Sequence, residues 1–180
     1  HRGLDFYYFC YDNEAFSNTG FQMSSATPFG SKTNTSFPEK LNPEGTVQKK
    51  KDLFEIWRSH KPPYLATISP SHPVDLSNKF EKASLYKGPK LFIAFSPCPP
   101  GWSFGTSKSV NIAKLAVQTG LLPLKEAVHG KVEHTIVPKF RPVEEYLKTQ
   151  ERYAHLFEPT TQVDIINTIQ KDIDDYWKRY

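Results

Sequence analysis

Hydrophobic and polar positions change period several times along this chain, and each change marks an element. Leu4 to Tyr11, "LDFYYFCY", is aromatic and nearly continuous, the pattern of a strand buried on both faces of a parallel sheet. Polar residues then dominate from Asp12 to Gly45, with Ser, Thr, Asn, Pro and Gly dense enough to exclude long regular structure. Loops of that size inside a compact domain are usually functional. From Asp52 to His60, "DLFEIWRSH" puts Leu53, Ile56 and Trp57 on one helical face, closed by "KPP" from Lys61. "YLATIS" reads as a strand. "HPVDLSNKFEKASLYKGP" reads as a helix with Pro in its first turn, apolar Val74, Leu76 and Phe80, and Gly88 at its end. "KLFIAFSPC" is a second buried strand ending on a Pro-Cys step.

The alternation continues. "SKSVNIAKLAVQTG" has Ser107 as an N-cap, apolar Val110, Ile112, Ala113, Leu115 and Ala116, and Gly120 past its end. "LPLKEAV" and "KVEHTIV" flank His129-Gly130 as a hairpin. Amphipathic helices near Val143 to Leu156 and Thr161 to Trp177 complete the chain and read as elements that wrap another part of an assembly. Strand, helix, strand, helix predicts an α/β fold with a mostly parallel sheet flanked by helices. We expect a main domain over residues 1–125 and a hairpin with a helical extension over 126–180.

Composition narrows the classes. With 180 residues, 38% of them hydrophobic, the chain can bury a real core. Its charge of +4 arises from 23 basic and 19 acidic residues, scattered apart from Lys49 to Lys51, so no nucleic-acid partner is expected. No apolar stretch approaches the roughly 20 residues of a membrane span. No membrane association is expected either, and the anticipated location is the cytoplasm. The two cysteines, Cys10 and Cys98, are too few for a disulfide scaffold and would remain thiols or metal ligands in a reducing compartment. The opening "HRGLDFYYFCY" lacks an initiator Met and enters a strand at once, which suggests a fragment of a longer polypeptide.

Candidate chemistry concentrates in the polar loop. It leaves the carboxyl end of the first strand, where open α/β sheets bind ligands. Asp12, Asn13, Ser17, Asn18, Thr19, Ser24, Ser25 and Thr27 offer oxygen ligands and hydrogen bonds, and Gly20 allows backbone N–H groups to approach an anion. Such a set suits a diphosphate held through Mg2+, which takes a few protein oxygens and completes its octahedron with phosphate and water. By composition alone the simpler reading is a loop whose Asn and Ser side chains satisfy its own backbone. Cys98, likewise, reads most simply as a buried structural thiol. The histidines show no metal-ligand spacing, and neither "GxSxG" nor "HExxH" occurs.

"YDNEAFSNTGFQMSSATP" closely resembles the thiamine-diphosphate motif in the β subunit, or matching domain, of pyruvate:ferredoxin oxidoreductases. The resemblance continues in "FSPCPPGWSFGTSKSVNIAKLAVQTGLLPL" and in "RPVEEYLKTQERYAHL". It implies a thiamine-diphosphate-binding fold of which this chain is the C-terminal half. It also implies that the Asn13 side chain and the Ala15 carbonyl bind Mg2+ and that Asn18 stands near the reacting carbon. Thr19, Gly20 and Gln22 would shape the loop, and Cys98 would be the fourth thiolate of a 4Fe-4S cluster. The remaining Mg2+ ligand, an Asp of a "GDG" turn, and the other cluster cysteines, from an upstream "CxxC", do not occur in this sequence and are expected from a preceding half. Phe16 stands where the family often has Tyr. Cys10 is assigned to the core, and Trp102 to packing beside the cluster cysteine.

The function implied is oxidative decarboxylation of pyruvate to acetyl-CoA and CO2 with reduction of ferredoxin. Thiamine diphosphate, Mg2+ and a 4Fe-4S cluster would be the cofactors, and coenzyme A the co-substrate. An α subunit and other subunits are the expected partners. A branched-chain 2-oxoacid or oxalate is the alternative substrate. From a different class, the alternative is a non-catalytic scaffold subunit.

Overall fold

Every residue of the strand Tyr64–Ile68 is buried, and the sheet of the computed structural model is organised around it. The structure describes residues 2–180. The strands are β1 (Phe6–Asp12), β2 (Tyr64–Ile68), β3 (Pro89–Phe95), β4 (Lys125–Val128) and β5 (Lys131–His134), and they form one five-stranded sheet in the order β1-β3-β2-β4-β5. β1, β3 and β2 run parallel, whereas β4 pairs antiparallel with β2, and β5 with β4. The hairpin therefore extends the sheet. Its turn at His129 and Gly130 takes φ of 47° and 85°, the left-handed pair that matches the twist of flanking strands.

Alternation along the strands sorts the core onto two faces. Tyr64, Ala66 and Phe92 meet α2 (Pro73–Ser84) through Phe80 and Ala83, while Leu65 and Ile93 meet α1 (Leu53–Ser59) through Phe54 and Trp57. α1 begins where Asp52 caps it, its carboxylate accepting from the Glu55 N–H at 3.0 Å. Both helical faces differ from expectation. Phe54 rather than Ile56 is the buried residue of α1, and in α2 Val74 is 73% exposed while Lys79 is buried. Lys79 can lie there because its Nζ donates to the Thr67 carbonyl at 2.9 Å and to Asp75 at 2.6 Å.

The expectation for β1 fails more plainly. Far from being covered on both faces, the strand is substantially exposed, Tyr11 to 76%. It lies at the sheet edge with β3 on one side only. Tyr7 and Phe9 stack on Phe92, and Tyr8 meets Trp57 edge-on, but no described strand pairs with its outer edge. Cys10, opposite Ile93, is consequently half-buried rather than a core residue.

The residues divide into two compact units interleaved in sequence. The first, His1–Asp12, Asp52–Ser96 and Pro123–Val137, contains the sheet. The second comprises Asn13–Lys51, Pro97–Leu122 and Pro138–Tyr180. It holds the polar loop with α3 (Pro99–Trp102), α4 (Ser109–Gln118), α5 (Glu144–Leu147) and α6 (Val163–Trp177). Ser107 lies in a 3-10 turn ahead of α4 and makes no cap. The single helix expected over Val143 to Leu156 is broken: Gln150 is extended (φ −139°, ψ 129°), and a 3-10 turn over Glu151–Leu156 follows. That break turns Arg152 inward. Ile112, Leu115, Leu147, Leu156, Ile166, Ile169 and Ile173 supply the apolar interior of this unit. Gly120, at φ 77°, is required past α4, because a Cβ there would come within 2.6 Å of Trp177 Nε1.

Candidate active site

The polar loop is tied into a defined shape by its own side chains. Phe16 and Gln22 exchange backbone hydrogen bonds of 3.0 and 3.2 Å, closing residues 16–22 into a small hairpin. Within it Thr19 Oγ1 donates to Gln22 Oε1, Gln22 Nε2 donates to the Thr19 carbonyl at 2.6 Å, and Asn34 Nδ2 donates to the Gly20 carbonyl. Gly20 adopts φ 110°, a conformation suited to glycine. Asn18 projects at the exposed tip, its amide bonded to none of the described residues.

One turn upstream, the loop begins with an Asx arrangement in which Asn13 Oδ1 accepts from the Ala15 N–H at 3.3 Å. Between them Glu14 takes φ 65°, an uncommon conformation for a side-chain-bearing residue. It is held there from both ends. Its carbonyl accepts from Thr27 Oγ1 at 2.7 Å, and its carboxylate, in a residue only 3% exposed, accepts from Lys50 at 2.8 Å and Arg152 at 2.7 Å. Burial by itself pushes the Glu14 pKa up, but the two cations outweigh it and hold the carboxyl below its ordinary value. Burial likewise works against the charged Arg152, and Tyr153 and Glu14 keep it protonated.

Cys98 is half-buried on extended backbone immediately before α3. Its carbonyl accepts from the Trp102 N–H at 2.8 Å, and the Trp102 indole donates to the Asn13 carbonyl at 3.1 Å. The Phe21 ring lies against Gly101 so closely that a Cβ at Gly101 would fall 2.3 Å from it. A cavity of about 380 Å³ opens between these turns, lined by Ser17, Gly20, Phe21, Lys32, Gly101 and Arg152 among others.

The structure thus brings the Asn13–Gln22 loop and the Cys98 turn together within one unit. Asn13 retains a lone pair on Oδ1 beyond its hydrogen bond, and the Ala15 carbonyl accepts no hydrogen bond among the described residues. This donor set, neutral oxygens from one turn, fits a hard divalent cation that takes its other ligands from elsewhere. No cluster of His, Cys, Asp and Glu sufficient to hold a metal occurs among the described residues, so a cluster on Cys98 would need outside cysteines. His1 lies outside the described residues. Sequence reasoning missed Glu14, Lys50 and Arg152. An acidic residue between two proposed ligands is the available hint for Glu14, but Arg152 lies 138 positions away.

No family model matches the chain. Among curated proteins it is 44% identical over 174 residues to pyruvate synthase subunit PorB of Methanosarcina barkeri, covering 96% of this chain and 58% of that protein. PorB of Methanocaldococcus jannaschii is also 44% identical, over 98% of this chain and 58% of its own length. Ketoisovalerate oxidoreductase subunit VorB of Pyrococcus furiosus is 41% identical over 99% of this chain and 56% of its own. A solved structure of 2-oxoglutarate:ferredoxin oxidoreductase from Magnetococcus marinus superimposes more loosely, with a TM-score of 0.46 and 20% identity over 61% of this chain and 35% of that one. The chain therefore spans little more than half the length of the curated relatives it matches. At 41–44% identity over 96–99% of its residues, the chain is similar to PorB and VorB oxidoreductase subunits along the part of their length that it spans.

Proposed function

We propose that this chain is the carboxy-terminal portion of the β subunit of a pyruvate:ferredoxin oxidoreductase. The observation that carries the reading is the direct joining of two turns, one presenting Asn13 and Ala15 oxygens and the other presenting Cys98, through the Trp102 indole. Asn13 Oδ1 and the Ala15 carbonyl would hold the Mg2+ that binds thiamine diphosphate. Asn18, free at the loop tip, would donate a hydrogen bond to the substrate. Thr19, Gly20 and Gln22 fix the tip's shape, and Cys98 would contribute one thiolate to a 4Fe-4S cluster. When bound, thiamine diphosphate supplies the nucleophile and electron sink for 2-oxoacid decarboxylation, and the cluster accepts electrons singly. The share of this chain is to fix those groups in register and to exclude water with Trp102 and Phe21.

On this reading residues 1–125 belong to the cofactor-binding domain, and 126–180 form an extension that braces it through Arg152. An α subunit and further subunits complete the assembly, with coenzyme A as acyl acceptor, ferredoxin as electron acceptor and the cytoplasm as location. Among the described residues no helix is long and apolar enough to cross a membrane. The VorB relatives make 2-oxoisovalerate the informative comparison substrate.

The test uses the full-length protein with its other subunits, purified without air. Pyruvate and coenzyme A should drive ferredoxin reduction faster than 2-oxoisovalerate does, and Cys98→Ser should remove the broad iron-sulfur absorbance. Preference for 2-oxoisovalerate would reassign the substrate. Absence of any 2-oxoacid-dependent reduction would refute the enzyme reading.

A further inference from the structure

Arg152 belongs to neither of the turns that carry the proposed ligands, yet it touches both. Its Nη2 donates to Glu14 Oε2 at 2.7 Å, and Glu14 is the residue between Asn13 and Ala15. Its guanidinium carbon, Cζ, lies over the Trp102 ring 3.6 Å from the ring centre, and Trp102 holds the Cys98 carbonyl on one side and the Asn13 carbonyl on the other. Two further bonds hold the guanidinium, Nε donating to Gln150 at 2.8 Å and Nη2 also to the Tyr146 hydroxyl at 3.0 Å, while Nη1 is buried without a hydrogen-bond partner among the described residues. Arg152 is 2% exposed and Trp102 fully buried.

A buried ion pair contributes little net stability compared with an apolar replacement. What it can do is hold one geometry. Glu14 needs such holding, since its left-handed backbone, at φ 65°, is unfavourable for a residue with a side chain and is the bend that sets the Asn13 and Ala15 oxygens in one turn. A planar fork that pairs with a carboxylate and stacks on an indole at once is a property of arginine that lysine lacks.

We propose that Arg152 is a positioning residue that locks the Mg2+-ligand turn and the cluster-cysteine turn into one body, so that disturbing it alters both cofactors together. This rests on the function proposed above. It places the coupling in the extension, at a residue that contacts neither cofactor ligand directly.

The experiment compares the full-length complex, purified without air, with its Arg152→Lys and Trp102→Phe variants. Two quantities are read on each: the Mg2+ concentration that half-saturates thiamine-diphosphate binding, and the electron paramagnetic resonance spectrum of the reduced cluster nearest the thiamine. Arg152→Lys keeps the charge and loses the fork and the stacking plane. It should weaken Mg2+ binding by about 10-fold or more, the usual effect of removing a residue that orients metal ligands, and should change the cluster spectrum. Trp102→Phe keeps the stacking face and loses the Asn13 hydrogen bond, so it should show the same pair of changes at smaller size. Asp172→Ala, which breaks an exposed ion pair with Lys49, should leave both unchanged. If both variants fold with lowered melting temperature but unchanged Mg2+ affinity and spectrum, Arg152 is structural only and the positioning role is overturned. If only one cofactor responds, the coupling is overturned. If the unaltered complex binds neither cofactor, the function proposed above fails with it, a result distinguishable from both.

Discussion

Tyr64 in the sheet unit and Arg152 in the loop unit are both large, fully buried side chains that bond a carboxylate. Tyr64 donates to Glu126 at 2.5 Å across two adjacent strands, in a core that Phe92, Ala66 and Ile68 would fill without it. Arg152 reaches Glu14 across 138 positions, in a unit whose loop has no strand or helix of its own to impose its path. In the first case the polar contact decorates apolar packing; in the second it specifies a shape that packing does not determine. A site that must hold polar ligands cannot be lined with a hydrophobic core, so the constraint passes to charge and hydrogen bonds.

That difference can be broken by substitution. Arg152→Met leaves Glu14 buried with Lys50 as its remaining named cation, and should cost about 3–5 kcal/mol in urea unfolding of the full-length protein. Glu126→Gln can still accept from Tyr64 and loses only the charge of its pair with the partly exposed Lys82, so it should cost under about 1.5 kcal/mol. Equal losses would erase the distinction. Gly101→Ala forces a methyl into the Phe21 ring and should cost roughly 1–3 kcal/mol, seen as a lowered unfolding midpoint.

Acid should act on the same unit. Glu14 ionises below its ordinary 4.5 in the folded protein, so its stabilisation is complete above the unfolded value and disappears as pH falls through the folded one. Proteolysis within residues 13–51 should therefore accelerate under pH 4.5, while Glu14→Gln should flatten that dependence. The smallest effect belongs to the sheet unit: Asp52→Ala removes the α1 cap and should cost about 1 kcal/mol, measured by the same urea titration, with no change in Mg2+ binding.

The two units were also unequally legible in the sequence. β2, β3, α2 and the His129-Gly130 hairpin follow from hydrophobic period and turn chemistry, which act over a few residues. β1 carries the aromatic run of a buried strand but stands at an edge, because period reports what a strand could pack against and not whether the partner is present. The 3-10 turn that carries Arg152 was read as helix, since "VEEYLKTQERYAHL" has helical period, and only its inward pairing explains the break at Gln150. In the loop unit, Asn13, Ala15, Asn18 and Cys98 stand out by resemblance to a motif. The residues that fix them, Glu14, Arg152 and Trp102, act through contacts no local pattern encodes.

We propose that the Asn13–Ala15 turn is a Mg2+ site for thiamine diphosphate. Calorimetric titration of the full-length complex with thiamine diphosphate, at stepped Mg2+ concentrations, tests it directly against Asn13→Ala. Mg2+-dependent binding is expected, weakened at least about 10-fold in the variant while its unfolding midpoint stays near that of the unaltered protein. Binding that is independent of Mg2+, or equally tight in Asn13→Ala, would contradict it.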